Sequence, residues 1–247
     1  MFTFITKQNS RGILSKVLLT SALALTLSAC NDSDNNDTVV VTPTPTPTPV
    51  EYSYSVTLTN LTYAQPLSPL AVLLHGDSKM WQVGSAASLP LEVLAESGDN
   101  ADLLADTSIL ASASDIDVLL PGATSSVIVS TTDRTATHLT SATMLVNTND
   151  AFSGLTGVDI STMAVDESKS WNLNVYDSGT EANDEAVGTI PGPADGGTGF
   201  DATRDDVDFV AYHSGVVSQD DGLTGSVLTQ AHKFDNPAIK LTITRTK

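Results

Sequence analysis

The chain has 247 residues, 40% hydrophobic but only 5% aromatic, and its 29 acidic against 11 basic side chains give a formal charge of −18. Such a surface repels phosphate backbones, because nucleic-acid affinity rests on Lys and Arg displacing counterions, so nucleic acid is excluded as a partner; divalent cations, salt-rich surroundings or a basic ligand suit it better. A single cysteine excludes any disulfide within the chain.

In chain order, residues 1–29 come first. They carry Lys7, Arg11 and Lys16, then an apolar run over 17–27, then Leu27-Ser28-Ala29-Cys30. Basic residues, a short apolar stretch and small residues before a cleavage point form a secretory signal. The apolar run is shorter than the about 20 residues a membrane-spanning helix needs. The Leu-Ser-Ala-Cys run resembles the lipobox of bacterial lipoproteins, and this resemblance implies cleavage before Cys30 and acylation of both its sulfur and the new amino terminus. Several acyl chains together anchor firmly, since each buried methylene contributes about 0.8 kcal/mol. Loss of the signal leaves 8 basic against 29 acidic residues, a formal charge of −21. Asn31 stands where, by resemblance to sorting patterns, an Asp would favour the inner membrane, so the expected location is the outer membrane of the cell envelope.

Residues 30–50 read as the acylated cysteine and a tether. Asp32, Asp34 and Asp37 lie among Asn residues without apolar periodicity, and 42–49 alternates Thr and Pro. Proline fixes φ and removes backbone donors, so this stretch is expected to be extended and semi-rigid. At about 3.1 Å per residue, its eight residues would span roughly 25 Å. The acidic cluster lacks the glycine turn and terminal glutamate of a helix-loop-helix calcium loop, which leaves it a solvated linker.

Residues 51–247 are enough for one domain with its own core. Tyr52, Tyr54, Val56 and Leu58 alternate with Ser53, Ser55, Thr57 and Thr59, the pattern of a half-buried antiparallel strand. Strands are expected likewise at 70–75, 126–130, 142–146, 171–176, 207–212 and 238–244. In the last, Ile239, Leu241 and Ile243 face one way, Lys240, Thr242 and Thr244 the other. Ser88 is expected to cap a helix that begins at Leu89-Pro90 and stops at Gly98, and Asn100 a second short turn through Leu103 and Leu104. The two would cover a sandwich edge and its free hydrogen-bonding groups. The fold class expected is therefore all-β, an antiparallel β-sandwich with one or two short helices.

The chemistry is concentrated in two acidic loop sequences 27 positions apart: Asn149-Asp150-Ala-Phe-Ser-Gly154 and Tyr176-Asp177-Ser-Gly-Thr-Glu181. If 142–146 and 171–176 run the same way with 158–164 returning between them, Asp150 and Asp177 emerge at one end, and Gly179 lets the chain turn back. Three carboxylates in one small volume repel unless something neutralises them. Calcium, with six to eight oxygen ligands in a flexible shell, is the expected remedy, held by Asp150, Asp177 and Glu181.

Taken in order, the runs Tyr54-Ser-Val-Thr-Leu-Thr-Asn-Leu61, Pro66-Leu-Ser-Pro69, Trp81-Gln-Val-Gly84, Leu91-Glu-Val-Leu-Ala-Glu-Ser-Gly-Asp99, Ala142-Thr-Met-Leu-Val146 and Asp177-Ser-Gly-Thr-Glu181 resemble the spondin amino-terminal domain over most of 52–195. The resemblance implies a sandwich similar to membrane-binding C2 domains, with a calcium site at one end to which Asp150 and Asp177 carry over. Glu181 stands where the family has Asp, one methylene longer. Animal members also use disulfides, which this chain does not have. The family further implies adhesion: contact with an extracellular matrix, glycan or protein ligand, without catalysis.

The rival reading is an envelope hydrolase acting on lipid or glycan through its loop carboxylates. Ala71-Val-Leu-Leu-His-Gly76 invites comparison with the oxyanion loop of α/β-hydrolases, but no Gly-x-Ser-x-Gly elbow occurs. His138, His213 and His232 lack the paired spacing of a zinc site. Trp81 and Trp171 are expected in the core, and Asp205, Asp206, Asp208, Asp220 and Asp221 in acidic loops.

Overall fold

The computed structural model describes residues 48–247. The signal segment, Cys30 and the tether as far as residue 47 lie outside the described residues.

Two antiparallel sheets pack face to face. The first has four strands: β1 (Tyr52–Asn60), β4 (Thr124–Thr131), β7 (Ser168–Leu173) and β10 (Ile239–Arg245), in the order β4-β1-β10-β7. The second has six: β2 (Ala71–His75), β3 (Ile109–Ser114), β5 (His138–Met144), β6 (Ala151–Asp159), β8 (Val175–Asp177) and β9 (Ala211–Tyr212), in the order β3-β2-β5-β6-β8-β9. With only two short helices, the protein is the all-β antiparallel sandwich its alternation predicts.

The alternating positions do what their period dictates. Tyr54, Val56 and Leu58 of β1 and Ile239, Leu241 and Ile243 of β10 point inward, where Val72, Leu74 and Leu139 of the facing sheet meet them. Burying such a side chain contributes about 1.5–3 kcal/mol relative to leaving it in water.

A second apolar layer lies on the outer side of the six-stranded sheet. β2 is buried along its whole length because both faces are covered. Ala71 and Leu73, with Ala142 and Phe152 of neighbouring strands, turn away from the sandwich interior and pack on Leu91, Leu94 and Ala95 of α1 (Leu89–Ser97) and Leu103 of α2 (Ala101–Leu104). The helices thus cover a sheet face and not an edge: an apolar face offers far more area to bury than a strand edge does.

Pro90 sits in the first turn of α1 and Gly98 ends it in the left-handed region at φ 73°, its N–H donating to the Leu94 carbonyl at 2.9 Å. Ser88 has the extended conformation of an N-cap, but its hydroxyl makes no capping bond. Asn100 does not cap α2 either. Its amide donates to the Pro69 carbonyl at 3.0 Å and to Ser114 Oγ at 2.8 Å, tying the helices to the sheet.

Four expected strands come out differently, and of these 142–146 overlaps only the end of β5, which runs His138–Met144. The run 171–176 is cut at Asn174, so that β7 ladders with β10 while β8 joins β6 in the other sheet. The Val175 N–H is taken by Asn236 Oδ1 at 2.9 Å, which lets the chain change sheets at the sandwich corner while Leu173 and Val175 both stay inside. Of 207–212 only Ala211–Tyr212 is strand, because the preceding residues fold against the loop after β8. The strand returning beside β5 is Ala151–Asp159, not 158–164.

Candidate functional site at the acidic end of the sandwich

β5 and β8 run in one direction with β6 between them, so the turn leading into β6 and the loop leaving β8 lie at the same end. Ala151 and Asp177 are register partners, and the Ser178 N–H donates to the Asp150 carbonyl at 3.3 Å. Asp150 and Asp177 are therefore neighbours across one strand pair, as their loops predict.

The loop 178–181 curls around Asp150, whose Oδ2 accepts from Ser178 Oγ at 2.8 Å and from the N–H groups of Thr180 at 2.9 Å and Glu181 at 3.2 Å. Gly179 makes the curl. Its φ is +73°, and a Cβ there would stand 2.3 Å from the Phe209 carbonyl oxygen. Asp150 is fully buried, and its Oδ1 has no hydrogen-bond partner. Burial first, and the charge of Asp177 second, push its carboxyl up to about 7, against the pull of the Thr180, Ser178 and Glu181 donors.

Asp177 is differently placed. Its Oδ1 accepts from the Gly179 N–H at 2.8 Å and its Oδ2 from the Asn183 amide at 2.6 Å. Glu181 Oε1 accepts from the Asn149 amide at 3.1 Å, while its Oε2 is buried without a partner. Burial pushes Glu181 up to about 8, helped by the charges of Glu96, Asp150 and Asp184 and opposed by the Asn149 bond.

Two further acids reach this end that their sequence positions do not advertise. Glu96, in the last turn of α1, is buried. Its Oε2 accepts from the Asp201 N–H at 3.0 Å, its Oε1 has no partner, and burial raises its pKa. Asp206 is raised by burial and by the charge of Asp177. The segment carrying it is pinned to the loop after β8 by N–H bonds from Asp205 to the Thr180 carbonyl at 3.1 Å and from Asp208 to the Gly179 carbonyl at 2.7 Å. Arg204 in the same segment pairs with the buried Glu92 of α1 and with Asp208. The signal for Glu96 in the sequence is its place among apolar helix positions, where Leu91, Leu94 and Ala95 mark the inward face.

Among the described residues no Lys or Arg bonds to Asp150, Asp177 or Glu181, and no three His, Cys, Asp or Glu side chains converge into a metal-holding group. The acids act on one another pairwise: Asp150 with Asp177, Glu181 with Asp150, and Glu181 with Glu96. Buried acceptor oxygens without donors cost free energy, and either a proton or a cation relieves it. The donor set, carboxylate oxygen throughout, is of the hard kind that calcium takes, and the unpartnered Asp150 Oδ1 and Glu181 Oε2 fit it.

The other singled-out residues have structural roles. His75 closes β2, fully buried, with Nε2 2.8 Å from Thr140 Oγ1 and Nδ1 2.7 Å from the Gly76 carbonyl oxygen. His213 Nε2 lies 3.1 Å from Asn183 Oδ1, behind Asp177. Trp81 is buried in the second layer edge-on to Phe152, and Trp171 is half-buried against the main core. Asp221 pairs with Lys233 at 2.9 Å.

Neither the known protein-family models nor the curated proteins give a match to this chain.

Proposed function

We propose that this protein is a lipid-anchored, calcium-binding display module of the cell envelope, held at the outer membrane through Cys30, with a spondin-like sandwich that contacts matrix, glycan or protein without catalysis. The observation that carries the ion is the fully buried Asp150, whose Oδ1 has no partner although three donors crowd its other oxygen. Asp150 and Glu181 would hold the cation through their unpartnered oxygens. Asp177 would add charge beside them, while carbonyls and water complete the shell. Bound calcium supplies two positive charges where the chain places only negative ones, so it stabilises the folded state and does no chemistry. The anchor and location rest on the lipobox and tether, and the adhesive role on the spondin resemblance.

A hydrolase reading has one observation in its favour: carboxyls raised to about 7 and about 8 are of the kind that serve as general acids. Asp150 is closed to solvent, however, and three surface clefts of about 250, 620 and 380 Å³ are lined by other residues. A calcium titration followed by thermal unfolding separates the two. The binding module gains melting temperature with calcium, since a ligand of the folded state stabilises it by mass action, and turns over no ester or glycoside. An Asp150→Asn protein that gains melting temperature in calcium as the parent does would remove the ion from this reading.

A further inference from the structure

Each of the two sheets is open and ends in two edge strands, and of these four only β4 is unguarded. β7 carries Lys169 on the same face as its partner Ile243, β9 is two residues long, and β3 pairs with β2 through a register shift at Leu74 and His75. Inward charges, short strands and bulges are the devices that keep an edge from pairing with another chain. β4 has none of them. It pairs with β1 in unbroken register over Thr124–Thr131 and contains no Lys, Arg, Asp, Glu or Pro.

The backbone groups on the far side of β4 are free. The Asn60 N–H donates to the Ala123 carbonyl at 3.0 Å. From this pair the antiparallel alternation turns the N–H and C=O groups of Ser125, Val127, Val129 and Thr131 toward β1, and those of Thr124, Ser126, Ile128 and Ser130 away from it. The last four residues are all exposed. Val127 and Val129 point into the core, while Ile128 stands on the outer face, 66% exposed. Apolar exposure continues along this side through Leu110 of β3 and through Ile116, Val118 and Leu120 of the connection from β3 to β4. Such a concentration marks a contact surface. No charged residue occurs over 118–132, although the chain as a whole carries a formal charge of −18.

We propose that the β4 edge is a self-docking surface, where β4 of a second copy of this chain pairs antiparallel and joins two four-stranded sheets into one. Free N–H and C=O groups in a row require a strand, and β4 itself fits them. A two-fold axis at Ile128 sets this residue against its own counterpart, Ser126 against the counterpart of Ser130, and Val127 against that of Val129. The outward backbone groups are then satisfied, the valines of both copies lie on one face beside their cores, and Ile128 loses its water on the other. A slip of one residue sets Val127 against Ile128 and turns a core face to solvent, so the alternation selects the register. The uncharged edge is where two acidic chains repel least. Edge contact alone falls below the about 1,200 Å² of a stable interface, so the dimer is weak and depends on concentration. Neither the ion nor the lipid anchor enters this inference.

The test is sedimentation velocity on residues 30–247 with Cys30→Ser, in chelator; the substitution removes acylation and disulfides as other routes to association. A monomer–dimer equilibrium is expected, shifting toward dimer with protein concentration and with sodium chloride, which screens the like charges. Ile128→Lys sets two cations against each other at the axis, and Ile128→Pro removes an outward N–H while leaving the ladder to β1 whole. Each is expected to raise the dissociation constant at least tenfold, with the melting temperature of the dilute protein as the folding control. Val165→Lys adds the same charge at an exposed apolar position before β7 and is expected to dimerise as the parent does. In the same background Ile128→Cys is expected to oxidise to a crosslinked dimer and Thr124→Cys is not, because the axis brings only position 128 beside itself. A monomer at every concentration, a dimer unmoved by Ile128→Lys and Ile128→Pro, equal crosslinking at both positions, or open-ended growth in place of a closed dimer would each overturn the proposal.

Discussion

Asp150 carries donors on one carboxylate oxygen and none on the other, and this asymmetry sets how the protein should respond to pH. Its carboxyl lies at about 7 and that of Glu181 at about 8, both above the about 4 of an unfolded carboxyl. A raised acid binds its proton more tightly in the folded state, so its stabilising contribution is whole below about pH 4. It declines as pH rises and is lost above about 7 for Asp150 and about 8 for Glu181. In chelator, melting temperature should therefore fall from pH 5 to pH 9. In calcium the fall should be smaller, because a cation takes over the role of the protons. Asp150→Asn removes the charge while keeping the shape. It should reduce the fall in chelator to the part that Glu181 contributes and abolish the calcium response, and paired melts with and without calcium check both.

At the scale of elements, the site depends on two chain segments held against the loop after β8. Gly179→Ala meets both a left-handed backbone and the Phe209 carbonyl oxygen, and should cost about 2 kcal/mol or more, read by chemical denaturation. Arg204→Ala leaves the buried Glu92 carboxylate without its partner and should cost about 3 kcal/mol. Replacing the pair together, Glu92→Leu with Arg204→Met, should recover much of that loss, since a buried ion pair contributes little beyond an apolar pair of similar volume. β1, β10 and α1 were legible in the sequence because one face of each is apolar at the right period and the ends carry turn chemistry. β3 and β6 were not. Ile109–Ser114 is built of small residues, and Ala151–Asp159 carries two glycines, so neither shows the β-branched alternation of a strand. Their place comes from pairing with β2, β5 and β8.

For the whole molecule, the excess of carboxylates acts against compactness by self-repulsion. Sodium chloride should raise the melting temperature gradually by screening, since the Debye length falls from about 10 Å at 0.1 M to about 3 Å at 1 M. Calcium at far lower concentration should add a further rise that saturates, and a titration of calcium at constant ionic strength distinguishes the two. The sequence alone determined the sandwich class, the inward faces of its central strands β1 and β10, and the helix stop at Gly98. These follow from periodicities and turn residues that act over a few neighbours. Only the tertiary structure decided that the helices cover a sheet face, that the pairing of β6 with β8 sets Asp150 beside Asp177, that Asp177 turns to Asn183 while Asp150 keeps an unpartnered oxygen, and that Glu96 and Asp206 join the acidic end. Each of these depends on register and burial between segments far apart in the chain, and local sequence carries no record of which distant donor will reach a given acceptor.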